Sequence, residues 1–190
     1  MKTSRTYTMT TRAEAAEATR RRILDASVAL AGERPFAEIT LDAVAGRAAV
    51  SVKTVLRQFG NRDGLLAAAM ETAMADSEAE RRTVPGDPAA AVRVVVDHYE
   101  VRGRTALLML AQEDQDDFAR AATSRGKAMH RDWVREAFSP ATADEALLDL
   151  LVVATDVYAW KLLRLDRGLS RAVTEQRLHD LVRALLSKEA

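Results

Sequence analysis

The 190-residue chain contains no cysteine, which excludes a disulfide framework and any thiolate metal site. The absence also fits a reducing compartment. Four prolines and eight glycines leave few obligatory breaks, while alanine and leucine, both strong helix formers, abound. Alternating apolar and polar runs bounded by turn residues are missing, so there is no strand signal, and no internal repeat is present. The most apolar segment, Leu147 to Leu165, is interrupted by Asp149, Asp156, Lys161 and Arg164, which argues against a membrane span. Residues 1–22 mix basic and acidic side chains without an apolar stretch of the signal-peptide kind, so the cytoplasm is the expected location. At 48% hydrophobic, the chain has enough apolar material for a sizeable core.

The net charge is zero, with 28 basic and 28 acidic residues, but the charges are unevenly spread. Residues 1–64 hold 11 Lys/Arg against 7 Asp/Glu, an excess of +4 that the remainder balances with −4. A basic N-terminal portion on an acidic body points to contact between that portion and a polyanion.

Helical periodicity runs almost throughout, giving an all-α fold of about nine helices. A first helix is expected from about Thr11 to Ala31, with Ile23, Ala26, Ser27 and Leu30 as its apolar stripe and Gly32 as a left-handed C-terminal cap. Thr40 caps a short helix, Leu41 to Ala48, and Ser51 caps another, Val52 to Phe59. Gly60-Asn61 stops it, and a long helix starts near Arg62 with Leu65, Leu66, Ala69, Met70 and Ala73 on one face. Asp87 as cap with Pro88 in the first turn opens a helix to about Arg102, where Gly103 marks a break before a short apolar segment, Ala106 to Ala111. A further helix ends at Phe138. Thr142-Ala143-Asp144-Glu145 matches a capping box and predicts one long helix from Ala143 to about Asp166. Gly168 closes it, and Thr174 caps a last helix to about Ser187.

Two helices of about eight residues separated by three or four form the helix-turn-helix unit. Ala45 supplies the small side chain at the crossing, and Val44, Ala48, Val50 and Val55 fill the wedge. The second helix then offers Val52, Lys53, Thr54, Arg57 and Gln58 to solvent. Arg57 suits guanine, Gln58 adenine and Val52 a thymine methyl. Thr40, Ser51 and Thr54 are short donors suited to phosphate oxygens, Arg62 places a cation near the backbone, and Lys53 serves either purpose. The pair by itself is equally compatible with an ordinary helical hairpin bearing solvated charges.

The stretches Arg21–Leu30 (RRILDASVAL) and Ile39–Leu66 (ITLDAVAGRAAVSVKTVLRQFGNRDGLL) resemble the DNA-binding domain of TetR-type transcriptional regulators. The resemblance covers about the first third of the chain. It implies phosphate contacts at Thr40, Ser51, Thr54 and Arg62, and base or groove contacts at Val52, Lys53 and Arg57. Three positions depart from the family pattern. Ala49 stands where glycine is usual, at a cost of about 1 kcal/mol if the residue is left-handed. Leu56 replaces a tyrosine that commonly contacts phosphate, and Arg62 replaces a lysine. The resemblance divides the chain into a reading domain, 1–62, and a helical regulatory and dimerisation domain, 63–190.

In similar proteins the second domain dimerises through its last two long helices and often encloses a small-molecule pocket. The segment Ala143–Asp166 is apolar on more than one face, as a helix serving both a core and a partner would be. His98, Tyr99, Arg102, Met109, Trp133, Asp156, Tyr158 and Trp160 are the candidate pocket residues, with core packing as the alternative role for each aromatic. Asp156 could anchor a cationic ligand, pair with an arginine or sit at a solvated edge.

No catalytic constellation is present. His98, His130 and His179 lie far apart in sequence, and no His-Glu-x-x-His, Gly-x-Ser-x-Gly or glycine-rich phosphate loop occurs. The acidic run Glu113–Asp117 lacks the glycine and distal glutamate of a calcium loop. An enzyme, a metal site and a cofactor are therefore not expected. The expected function is a homodimeric, ligand-responsive repressor of a palindromic operator in double-stranded DNA. The alternative is a DNA-binding regulator or activator without a small-molecule effector, controlled by a protein partner. A dry, fully packed body would favour the alternative, whereas a sizeable cavity with a few polar groups would favour the first.

Overall fold

The computed structural model describes residues 4–187, with side chains from residue 13 onward. Lys2 lies outside the described residues, as do the side chains of Arg5 and Arg12. Among the described residues there are nine α-helices and no strand. The chain divides into two compact units, Met1–Ala73 and Met74–Ala190.

The first unit contains α1 (Ser4–Ala31), α2 (Leu41–Arg47), α3 (Val52–Phe59) and the first half of α4 (Arg62–Glu80). Its core follows the predicted stripe: Ile23, Val44 and Val55 are completely buried, and Leu30, Ala45, Ala48 and Leu65 nearly so. Each large side chain of this set contributes about 1.5–3 kcal/mol of transfer free energy. α1 begins seven residues before the expected Thr11. Its C-terminus also differs from expectation, because the left-handed glycines are Gly60, Gly86 and Gly168, and not Gly32. Tight turns close α1 instead, with Gly32 N–H donating to Ala29 and Glu33 N–H to Leu30.

The second unit is built around α5 (Pro88–Leu110), which packs on α6 (Asp117–Ala137), α8 (Val157–Lys161) and α9 (Arg171–Leu186), while α7 (Glu145–Ala154) packs on α6 and α9. Asp87 caps α5 as predicted, accepting from Ala90 N–H at 3.0 Å. The helix does not break at Gly103. That glycine is buried inside α5, and a Cβ there would lie 2.6 Å from the Trp160 ring. Its role is close approach rather than punctuation.

The helix predicted from Ala143 to Asp166 is three pieces. Thr142 is not the cap; its hydroxyl donates to the Arg135 carbonyl at 2.7 Å, and Asp144 caps α7 by accepting from Ala146 N–H at 2.9 Å. α7 then stops at Thr155, whose hydroxyl turns back to the Leu151 carbonyl at 2.7 Å. Asp156 is extended and caps α8, accepting from Tyr158 N–H at 2.8 Å. These short side chains offer the backbone local partners that compete with the helical ladder. α8 passes into a π-helical turn, Leu162–Asp166, before left-handed Gly168. α9 starts earlier than expected: Ser170 is the cap, accepting from Val173 N–H at 3.3 Å. Thr174 is buried inside the helix, its hydroxyl without a partner.

Candidate nucleic-acid interface

The two short helices are set by their caps. Thr40 Oγ1 accepts from Ala43 N–H at 3.1 Å and Ser51 Oγ from Thr54 N–H at 3.2 Å, each satisfying a backbone donor that the first helical turn leaves free. Ser51 and Thr54 also share a hydroxyl contact at 3.0 Å. Between the helices, Val50 N–H reaches back to Ala45 at 3.0 Å and Ala49 N–H to Gly46 at 3.3 Å. That pairing is a Schellman closure, and it places Ala49 at φ 53°.

α3 is sharply two-faced. Val55 is fully buried, whereas Lys53, Leu56 and Arg57 are exposed and lie at i, i+3 and i+4, one stripe of a helix. Among the described residues neither Lys53 nor Arg57 has a hydrogen bond or ion pair, so both cations are available to an outside partner. Val52, Thr54 and Gln58 are half-buried beside this stripe, and Gln58 Oε1 is a buried acceptor without a partner. Leu56, 41% exposed, joins the stripe although it lacks the hydroxyl that the family pattern carries there. Thr40 and Ser51 are exposed at the two helix starts.

Arg62 is placed differently from a free surface cation. Its Nε donates to the Ile39 carbonyl at 2.8 Å and its Nη2 to the Phe36 carbonyl, which ties the start of α4 to the turn before α2. Two further contacts brace the unit. Arg47 makes a two-pronged pair with Glu33 at 2.8 and 2.5 Å, which holds the Glu33 carboxyl below its usual range. Arg20 lies 4.5 Å over the Phe59 ring, a contact worth about 0.5–1 kcal/mol at an exposed site.

Four of the candidate pocket residues of the second unit pack together: the His98 and Tyr99 rings lie 5.5 Å apart, Tyr99 and Trp160 5.9 Å, and Trp133 packs against the same cluster. His98 is buried against Glu80 at 3.0 Å, and Arg102 grips the same carboxylate at 2.7 and 2.6 Å. Burial and the Arg81 cation bring His98 down to about 4. Tyr99 donates to the Thr155 carbonyl at 3.1 Å, and its burial pushes the phenol well up. Trp160 donates to Glu100 at 3.0 Å, Tyr158 is 56% exposed, and Met109 is half-buried on α5. Asp156 serves as a helix cap, its carboxyl raised by burial. A cavity of about 570 Å³ lies elsewhere in this unit, between the end of α4, the loop after it and α6. Of the eight predicted residues only Trp133 lines it, beside Arg81 and Thr83, which the sequence reading passed over. One signal was available: Met70, Ala73, Ser77 and Arg81 continue the inner stripe of α4 at helical spacing.

An exposed basic stripe on the second helix of a helix-turn-helix defines the class of DNA-binding regulators. The family model for bacterial regulatory proteins of the tetR family matches residues 23–69. Two curated proteins, the HTH-type transcriptional regulators BetI of Paraburkholderia phytofirmans and Paraburkholderia xenovorans, are 34% identical over 84 residues. That alignment covers 42% of this chain and 43% of each relative, so it spans less than half of their length. A transcriptional regulator from Rhodococcus sp. RHA1 shares the fold with a TM-score of 0.68 at 20% identity, over 89% of this chain and 96% of that one. A TetR-like regulator from the same source gives 0.59 at 19% identity, with coverage of 89% and 96%. The multidrug binding protein EbrR, complexed with imidazole, gives 0.55 at 21%, with coverage of 85% and 88%. At these identities the structural likeness is one of fold. Over residues 23–69 the chain is thus similar to bacterial regulatory proteins of the tetR family. Among the described residues no helix is long and apolar enough to cross a membrane.

Proposed function

We propose that this protein is a ligand-responsive homodimeric repressor that holds a palindromic operator through two copies of the Thr40–Phe59 helix-turn-helix. The observation that carries the reading is the unpaired stripe of Lys53 and Arg57 on α3, flanked by the exposed hydroxyls of Thr40 and Ser51. In this reading Arg57 and Lys53 address base edges, Val52, Leu56 and Gln58 shape the groove contact, and Thr40, Ser51, Thr54 and Arg62 address the phosphates. Arg62 would act there while still bound to the Phe36 and Ile39 carbonyls, as a positioned rather than a free cation.

Homodimerisation is supported by the apolar residues left exposed on the last helices. Val153 is 68% exposed, Leu162 56%, Leu150 51% and Leu181 45%, more than a helix pair closed on its own core would leave open. Responsiveness to a small molecule is supported by the 570 Å³ cavity, which is of ligand size, and by the fold shared with a multidrug binding protein. A bound effector lowers operator affinity by favouring the weaker-binding state of the dimer. The test is a gel-shift titration of the full chain against DNA flanking its own gene at moderate salt. Retention of a palindromic fragment with a steep salt dependence is expected; failure to retain any such fragment refutes the proposal.

A further inference from the structure

Arg81 is 3% exposed, yet among the described residues no carboxylate lies within ion-pair distance of it. Asp156 acts on it only at longer range, and the Tyr99 phenol, which burial pushes well up, stays neutral. Its nearest polar partner is neutral: Nη2 meets His130 Nδ1 at 2.5 Å. His130 Nε2 faces the Val152 carbonyl at 3.3 Å, which assigns the proton to Nε2 and leaves Nδ1 as the acceptor. Glu80, adjacent in sequence, is occupied by Arg102 and His98. The guanidinium lies 4.4 Å over the Trp133 ring, and Nε has no partner at all. A guanidinium withdrawn from water without an anion is unfavourable, and an incoming anion relieves it.

The space for that anion adjoins it. Arg81, Thr83 and Trp133 line the 570 Å³ cavity, and Thr83 Oγ1 is a second buried polar atom without a partner. Met74 and Met129 add soft apolar surface, which adapts to ligands of varied shape. Glu78, Asp132 and Glu136 line the same space as Arg82 and Arg125, so with Arg81 the lining is balanced in charge and offers no excess of cations to a ligand carrying several negative charges.

We infer that this cavity takes a small apolar monocarboxylate. Its head group accepts from Arg81 and Thr83, and its body packs on Trp133 and the two methionines. The inference deepens the proposed ligand-responsive reading and rests on it for biological effect, though not for binding.

The test uses the full chain with benzoate, 3-phenylpropionate and octanoate, each beside its primary amide and the corresponding amine. Melting temperature and tryptophan fluorescence are the readouts. At least one carboxylate is expected to raise the melting temperature at about 10 mM and to bind at least about tenfold tighter than its amide. Thr83→Val, which breaks no bond within the protein, weakens the carboxylate more than the amide and narrows the preference, because the hydroxyl's bond to an ionised acceptor is the stronger. Arg81→Met abolishes the preference; should that variant not fold, Thr83→Val and the carboxylate–amide contrast on the unaltered protein decide. Absence of any carboxylate effect, equal binding of amide or amine, or an unchanged preference in Thr83→Val overturns the inference. Release of a fluorescent operator is read separately. A carboxylate that binds without releasing operator supports the site and refutes the effector role.

Discussion

Replacing Ala49 with glycine should stabilise the protein. Ala49 sits at φ 53°, where an L side chain crowds the following carbonyl at a cost of about 1–2 kcal/mol. Its neighbours impose that conformation, because the back-bonds from Val50 to Ala45 and from Ala49 to Gly46 require a left-handed residue between α2 and α3. The side chain is exposed, so removing its methyl group forfeits no packing. Glycine adds unfolded-state freedom worth about 0.5–1 kcal/mol, leaving a net gain of about 0.5–1 kcal/mol. Urea denaturation followed by circular dichroism should show the midpoint rise at constant slope. The melting temperature should rise by about 1–4 °C for a chain of this size. Ala43→Gly, inside α2, is the control and should lose stability by a comparable amount. If Ala49→Gly were neutral or destabilising while Ala43→Gly behaved as stated, the strain assigned to this turn would be wrong.

Other substitutions separate the roles of neighbouring cations. Arg57→Ala should relax base preference by about 1–3 kcal/mol at one operator position without lowering the melting temperature, as binding to base-substituted operators will show. Arg62→Ala should weaken binding to all sequences alike and flatten its salt dependence. It should also destabilise the first unit by about 1–3 kcal/mol, since the Phe36 and Ile39 carbonyls lose a charged donor; a purely external contact would leave the melting temperature unmoved. Gly103→Ala drives a Cβ to 2.6 Å from Trp160 and should cost about 1–3 kcal/mol, visible as a lower urea midpoint. Acid should destabilise the second unit. His98 is lowered to about 4 and His130 to about 3 from the ordinary 6.5, so between those values the unfolded chain binds more protons than the folded one. Their contribution is complete above pH 6.5 and is lost as the pH falls towards 4 and 3, with a slope of up to about 1.4 kcal/mol per histidine per pH unit. The slope should shrink in His98→Gln when urea midpoints are compared at pH 7 and pH 5.

The reading head was legible because its signals are local. Thr40, Ser51 and Asp87 each cap a helix three residues ahead of the N–H they accept from, and such short-range pairings survive any tertiary context. The stripe of Val44, Ala45 and Val55 was likewise readable from period alone. The second unit misled the same rules where long-range contacts supplied the deciding partner. Thr142 faced Arg135 instead of its own helix, and Gly103 marked the close passage of Trp160 rather than a helix end. At Thr155 and Asp156 an apolar period continued through a break, because the hydroxyl and carboxylate bonded to backbone on either side.

The sequence by itself determined that the protein is helical, where the two short helices of the head begin and end, and which cations could face outward. Those properties depend on residues within a turn or two of one another. Only the tertiary structure decided that Arg62 is held by two carbonyls and that the cavity lies along α6, where Trp133 alone of the predicted aromatics lines it. It also decided that Arg81, outwardly one more charge in the run Glu80-Arg81-Arg82, is buried without an anion. Burial and pairing are set by which segments meet, and the segments that enclose Arg81 come from α4, the loop after it and α6, about fifty residues apart in the chain.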